Sequence, residues 1–359
     1  MPTLETMERD ALAERLFGSM LGAMDLLAIY LGDRLGFYAA LRDGGSLTST
    51  DMAERTATDE RYAREWLEQQ AVTGILDATT SDRGWVFRLP AGHAEVLTDP
   101  DCLAAMVPAA RFLAGIGGVL PELVDAYRTG VGVPYRLYGS DGREGQAGMT
   151  RPLFVNLLGS AWLPALPDVD ARLRADPPAR IADIGCGGGW SSIAMARAYP
   201  KVTVDGCDLD PSSIDLARAN AENAGVADRV TFAIRDAGDP LLAGDYDLVC
   251  AFECIHDMAN PVAALTAMRR LVRSDGTVLI ADEKVAEHFT APGDDIERFM
   301  YGFSILHCLA VGREGEPSAT TGAVMRRDTL HGYAREAGFT SIEDLSIAHD
   351  WWRFYRLSG

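Results

Sequence analysis

A chain of 359 residues exceeds the size at which a single hydrophobic core keeps growing, so two domains are expected, and 48% hydrophobic against 24% charged residues is a globular composition. Its 52 acidic residues outnumber 33 basic ones, for a formal charge of −19 and a pI near 4.7, so a polyanionic duplex meets net repulsion and nucleic acid is excluded as a default partner. The most apolar stretches, residues 19–32 and 103–120, are interrupted by Asp25 and Arg111 and fall short of the about 20 apolar residues a spanning helix needs, so no membrane partner is expected.

The first residues lack the basic and apolar regions of an export signal. The six cysteines, at 102, 186, 207, 250, 254 and 308, form no C-x-x-C pair. A reduced, cytoplasmic protein is expected.

In chain order, apolar residues recur at helical spacing from Glu8 to Leu41 (Leu12, Leu16, Met20, Met24, Leu27, Leu31, Leu35), predicting one or two long amphipathic helices whose stripe is core or a dimer interface. A capped short helix follows in 46–55, then a turn at 56–58, a second helix over 59–73 closed by Gly74, and a β-hairpin of 75–78 and 85–89. Helix, turn, helix and hairpin is a winged-helix pattern. Its second helix carries Asp59, Glu60, Glu65 and Glu68 against Arg61 and Arg64, an excess of two negative charges that suits dimerisation and substrate capping better than the major groove.

Between residues 93 and 176 the helical pattern is broken by glycine-rich joints at 115–118, 130–134 and 139–142, as in a segment that folds over a pocket. Tyr135, Tyr138, Phe154 and Trp162 are candidates for its substrate-binding wall, although aromatic residues at these spacings also suit ordinary core. Two prolines in 176–179 mark a linker. The expected divisions are a winged-helix dimerisation domain over 1–100, a helical linker and substrate cap over 101–175, and a catalytic domain over 176–359.

The second half alternates strands and helices. Residues 180–184 read as a strand, 185–189 as a glycine loop and 190–198 as a helix, a unit that brings backbone close to a nucleotide cofactor. A second strand over 202–207 ends at Asp208, 25 residues after Asp183 and well placed to accept ribose hydroxyls. A nicotinamide dehydrogenase and a methyltransferase using S-adenosylmethionine (SAM) compete for this unit. A pyrophosphate calls for G-x-G-x-x-G, yet the glycines run through 185, 187 and 189 with Trp190 next. Asp183 is awkward beside a pyrophosphate but can help hold the methionine ammonium of SAM, which favours the methyltransferase. Strands over 228–237, 246–253 and 276–282, a helix over 261–272, and closing strands over 341–347 and 351–357 complete an α/β pattern that is not dehydrogenase topology.

On these residues the region 176–359 resembles a class I SAM-dependent methyltransferase, which implies a seven-stranded Rossmann-like sheet with an antiparallel last strand. Residues 183–189 are similar to its first motif, with Asp183, Gly185, Gly187 and Gly189 as cofactor contacts; Asp208 and Leu209 match its ribose-binding position, and Asp236 with Ala237 its adenine contact. Glu253 joins this cofactor set. The whole chain resembles bacterial small-molecule methyltransferases that carry a winged-helix dimerisation domain, an arrangement shared with plant-type O-methyltransferases. The resemblance implies a homodimer and a small-molecule substrate of specialised metabolism.

The candidate catalytic cluster, residues 253–257, directly follows the fourth strand at the carboxyl edge of the sheet. His256 matches the histidine of the His-Asp motif of plant-type O-methyltransferases, and an imidazole can take a proton from a phenol, enol or acidic carbon, with Asp282 or Asp257 orienting it. Without a catalytic role, His256 would cap the following helix or contact the methionine end of the cofactor. A second alternative joins His256, Asp257 and His307 as a facial metal set, similar to metal-dependent α-keto acid C-methyltransferases; the general-base reading needs no metal. Phe303 and His307 are candidate substrate contacts, and Glu253, Glu283 and Lys284 candidates for a polar substituent. A SAM-responsive transcription regulator is the rival of another class.

Overall fold

The computed structural model describes residues 3–315 and 317–359. It divides into two units, one of residues up to 115 with 144–149, the other of 116–143 with 150–359. The stretch 101–175, predicted as a separate linker and cap, is therefore shared between them. In the first unit a Cβ at Gly145 would stand 2.5 Å from the Phe112 backbone, and Arg111 binds both Asp33 and Glu144, which ties 144–149 to the helical body.

The first unit opens with helix Leu4–Arg34, followed by Phe37–Gly44. Thr48 and Asp51 form a capping box that starts helix Ser49–Thr56, and the Asp59 side chain accepts from two backbone N–H groups to start helix Glu60–Val72. The hairpin β1 (Asp77–Ser81) and β2 (Gly84–Arg88) begins later than the sequence predicts, because the Ile75 and Leu76 N–H groups donate to the Gln70 carbonyl and close the helix. Trp66 and Leu67 pack with Phe37, Tyr38, Met52 and Phe87, so the winged helix turns its large apolar side chains into its own core.

Helix Leu4–Arg34 keeps its stripe of Leu12, Leu16, Met20, Met24, Leu27 and Leu31 exposed. By length and composition its 31 residues are also long and apolar enough to cross a membrane, a correction to the shorter span of 19–32.

The second unit is built on strands β3 (Arg180–Ile184), β4 (Thr203–Asp208), β5 (Val230–Ile234), β6 (Tyr246–Phe252), β7 (Val272–Glu283), β8 (Ser341–Leu345) and β9 (Trp352–Ser358). They form one seven-stranded sheet in the order β5-β4-β3-β6-β7-β9-β8, with β9 antiparallel to both neighbours and the other pairs parallel. Alternate residues serve opposite faces: Ile181, Leu248 and Cys250 enter one core, while Ala182, Val249 and Ala251 enter the other. The chain order reverses at β3, between β4 and β6, and such a switch point opens a ligand crevice at the carboxyl ends of the strands.

Residues 139–142, predicted as a break, are instead the first turn of helix Gly139–Leu153. Helix Asp295–Phe303 runs on through a wider π-helical stretch, Ser304–Cys308, into Leu309–Gly312. Such insertions are frequent at functional sites, and His307 lies within this one.

Candidate active site

The glycine loop joins β3 to helix Trp190–Ala198. Gly185, Gly187 and Gly189 all have positive φ, at 69°, 49° and 78°. A Cβ at Gly185 would stand 2.7 Å from the Cys254 Sγ and one at Gly189 would meet Phe232 at 2.7 Å, but one at Gly187 would meet nothing within 4 Å. The loop is thus packed at both ends and open at its middle. Asp208, ending β4, accepts from the Gly187 N–H at 2.9 Å and the Asp210 N–H at 2.9 Å, one bond to each carboxylate oxygen. Each oxygen keeps lone-pair capacity for a further donor. Burial pushes the Asp208 carboxyl upward against these bonds.

Asp183 is 1% exposed and accepts from the Ser191 and Ser192 hydroxyls at 2.5 and 2.6 Å. Burial lifts its carboxyl to about 6 against those two bonds. It therefore braces the first turn of the helix beneath the loop, a contact that residue spacing alone does not announce. Asp236 and Ala237 follow β5, with Asp236 exposed and accepting from the Gly238 N–H, while Leu209 stands exposed beside Asp208.

His256 and Asp282 converge from the ends of β6 and β7. The imidazole Nδ1 lies 2.7 Å from Asp282 Oδ1, and the two side chains are 2% and 1% exposed. Burial opposes charge on His256, but the Asp282 carboxylate and its hydrogen bond, helped by the Cys308 thiol, hold the imidazole well above its ordinary value. Asp257 is half-buried, and burial lifts it to about 6. Burial raises Glu253 to about 7 and Glu283 well above the carboxylate range.

A wall faces this cluster. The His307 ring sits between Tyr135, 5.7 Å away, and Tyr138, 4.7 Å away, both edge to face, and the Tyr138 hydroxyl donates to the Leu306 carbonyl at 2.9 Å. Burial and the nearby His256 charge push His307 down to about 3, so it is neutral. The Tyr135 hydroxyl is pushed upward by burial and by Asp208, which puts it within the field of that carboxylate. Arg143 pairs with Asp210 at 2.9 Å, both largely buried, and so fixes the helix that follows β4; nothing in the spacing of 67 residues announces this contact.

One predicted substrate contact lies in the core instead. Trp162 is in ring contact with Phe154, Trp352, Phe354 and His349 in the core beside the sheet. Phe303 stacks on Phe299 at 4.5 Å, and Phe299 in turn meets Trp351. Among the described residues no group of three or more His, Cys, Asp and Glu side chains is arranged to hold a metal ion, and Asp282 rather than a metal takes the His256 Nδ1.

Comparison with known proteins agrees with the two-part organisation. Residues 176–307 match the methyltransferase domain family and residues 22–99 an Rv2258c-like winged HTH domain. A ubiquinone biosynthesis O-methyltransferase of Cereibacter sphaeroides is 38% identical over 101 residues, 28% of this chain and 39% of the relative. One from Xanthomonas campestris is 32% identical over 116 residues, 32% of this chain and 47% of the relative. The chain thus spans under half the length of these curated relatives. Solved structures match from end to end: the mitomycin 7-O-methyltransferase MmcR at TM-score 0.70 and 22% identity, over 98% of this chain and 99% of that one. The human N-acetylserotonin methyltransferase in complex with SAM matches at 0.71 and 17%, over 97% and 98%. The second unit carries a methyltransferase domain, and the whole chain shares the fold of these two-part enzymes.

Proposed function

We propose that the protein is a SAM-dependent methyltransferase acting on a small-molecule acceptor, with His256 as general base. The observation that carries this reading is the buried His256–Asp282 pair, 2.7 Å apart, at the carboxyl edge of a methyltransferase sheet. The residues present fit SAM. The open middle of the glycine loop admits a ligand against backbone, Asp208 has acceptor capacity for ribose hydroxyls, Asp236 and Ala237 lie at the next strand end for the adenine, and Glu253 borders the methionine end.

SAM supplies a methyl group on a sulfonium, primed for in-line displacement, so the chain has to orient the acceptor, exclude water and remove one proton. Asp282 holds the His256 Nδ1, so the acceptor proton has to pass to the other ring nitrogen, Nε2. Tyr135, Tyr138 and His307 form an apolar, neutral wall on which an aromatic acceptor packs. The names of the curated relatives favour a hydroxyl acceptor, and specialised metabolism is the setting that suits such a substrate.

The protein acts as a homodimer through its first helix, whose apolar stripe is too continuous to be left to water. On the winged helix, Arg64 pairs with Glu60 and Arg61 with Glu65, which leaves those bases engaged and supports a dimerisation role over duplex recognition. Six free cysteines, five of them buried, suit the reduced cytoplasm. The test is a methyl-transfer screen with labelled SAM across phenols, indoles, keto acids and amines. Transfer to one of them supports the reading, and binding of NADH in place of SAM contradicts it.

A further inference from the structure

The wall that carries His307 is built on an irregular helix. In the π-helical stretch Ser304–Cys308 the Leu309 N–H donates to the Ser304 carbonyl five residues back, one residue more than an α-helical turn spans. Such turns are rare beside the α-helical alternative, so one persists where its surroundings over-determine it. Three contacts do so here. A Cβ at Gly312 would stand 3.0 Å from the Asp257 carbonyl oxygen, so the end of this helix rests on the backbone of the catalytic segment. Gly322, at φ 74°, donates its N–H to the His256 carbonyl at 3.0 Å, and a Cβ there would stand 2.5 Å from the Ser304 Oγ and 3.3 Å from the Leu309 Cβ. Its backbone thus joins His256 to the widened turn. The third contact is the Tyr138 hydroxyl, which donates to the Leu306 carbonyl at 2.9 Å, within the turn itself.

Tyr138 is itself fixed, because the chain before it runs along the same helix. The Val133 N–H donates to the Ala310 carbonyl at 2.9 Å, the Arg313 Nε donates to the Gly130 carbonyl at 2.8 Å, and a Cβ at Gly132 would stand 2.3 Å from the Arg313 carbonyl carbon. Tyr138 is 2% exposed, and its ring centroid lies 4.7 Å from that of His307, edge to face. It therefore touches two successive residues of the turn, Leu306 through its hydroxyl and His307 through its ring. Tyr127 makes an outward counterpart. Its hydroxyl donates to the Ile305 carbonyl at 3.2 Å, but the residue is 64% exposed, so water replaces that bond at little cost.

We propose that Tyr138 is a positioning residue for the acceptor wall: its hydroxyl holds the Leu306 carbonyl in the widened register, and that register keeps the His307 ring between Tyr135 and Tyr138. This rests on the reading of that wall as the surface on which the acceptor packs. Return of the turn to α-helical register would rotate one side of it against the other by about 100°, which carries the His307 ring off the tyrosine pair. The His256–Asp282 pair lies on other elements, at the ends of β6 and β7, and keeps its geometry. Loss of the hydroxyl therefore separates acceptor binding from the chemical step.

The test is Tyr138→Phe in the full chain, which keeps the ring and removes only the hydroxyl. Histidine ring signals are followed by nuclear magnetic resonance with ring-labelled histidine at neutral pH, and that of His307 is identified by its loss in His307→Gln. In the wild type the two tyrosine rings set this signal apart from those of the exposed His93 and His288. Tyr138→Phe should move it toward theirs, and Tyr127→Phe should leave it in place. With the acceptor found by a labelled-SAM screen, Tyr138→Phe should raise KM about three- to tenfold and leave kcat and SAM affinity unchanged, while Tyr127→Phe changes none of the three. Gly312→Ala, which adds a methyl group 3.0 Å from the Asp257 carbonyl oxygen and presses on the same helix, should also move the His307 signal and serves should the first variant fail to fold. A signal unmoved in Tyr138→Phe, or in Gly312→Ala where that variant is the one that folds, overturns the proposal. So does a signal moved equally by Tyr127→Phe, or one moved with no change in acceptor KM. Absence of methyl transfer by the wild type refutes the acceptor reading instead, while the histidine signals, read without ligand, still decide whether Tyr138 holds the register.

Discussion

Replacing Asp282 by Asn isolates the electrostatic part of the proposed base. The substitution keeps the size of the side chain and an oxygen beside the His256 Nδ1, but removes the negative charge that holds the imidazole well above its ordinary value. A hydrogen bond to a charged group is worth about 1.5–3 kcal/mol, and at about 1.4 kcal/mol per power of ten its loss should slow methyl transfer by about 10- to 150-fold if the charge develops on His256 in the transition state. Direction on the pH axis is the sharper signature. With the imidazole raised, the wild-type rate should climb as pH rises toward its folded value, and Asp282→Asn should move that limb to lower pH. The same sign governs stability: the ion pair stabilises the fold below the ordinary histidine value and loses that contribution as pH rises through the raised one. Initial rates with labelled SAM between pH 6 and pH 10 check this, on the order of one point per half unit. A lowered rate with an unmoved limb would refute the assignment of that limb to His256.

Asp208→Ala removes acceptors held by two backbone N–H groups and should weaken SAM binding by at least about tenfold, read by calorimetry, with the thermal midpoint changed little. Met20→Glu with Met24→Glu places charge on the exposed stripe of the first helix and should convert a dimer to a monomer in light scattering at micromolar concentration. Metal chelation should leave turnover unchanged, while His307→Ala, at a wall contact held between two tyrosines, should raise the acceptor KM by about three- to tenfold and leave SAM affinity alone; loss of turnover on chelation with recovery on adding Fe(II) or Zn(II) would revive the metal alternative.

Local patterns were legible where chemistry and chain proximity coincide. The glycine loop, Asp208, and the His-Asp pair after β6 lie within short segments whose strand-loop-helix order is visible in the residues themselves, and alternation of strands and helices announces a sheet covered on both faces. Contacts between distant elements were not legible. Trp162 and Tyr135 are both aromatic residues in glycine-rich surroundings, and spacing alone does not say that one turns into the core and the other toward Asp208. The same holds for Asp183, whose serine partners lie on the far side of the loop. The first helix runs unbroken past the point where charges interrupt the apolar pattern, since Arg9, Asp10 and Glu14 project from its surface without cost to its backbone.

The proposed activity is tested most directly by following a labelled methyl group from SAM into the acceptor screen with wild-type protein and with His256→Ala, alongside SAM affinity for each. The label should appear in a phenol, indole, keto acid or amine with the wild type, and the variant should lose about 10²- to 10⁴-fold in turnover while binding SAM nearly as well. A variant that transfers the label at the wild-type rate would contradict the role of His256, and a wild-type chain that neither binds SAM nor releases its methyl group would contradict the methyltransferase itself.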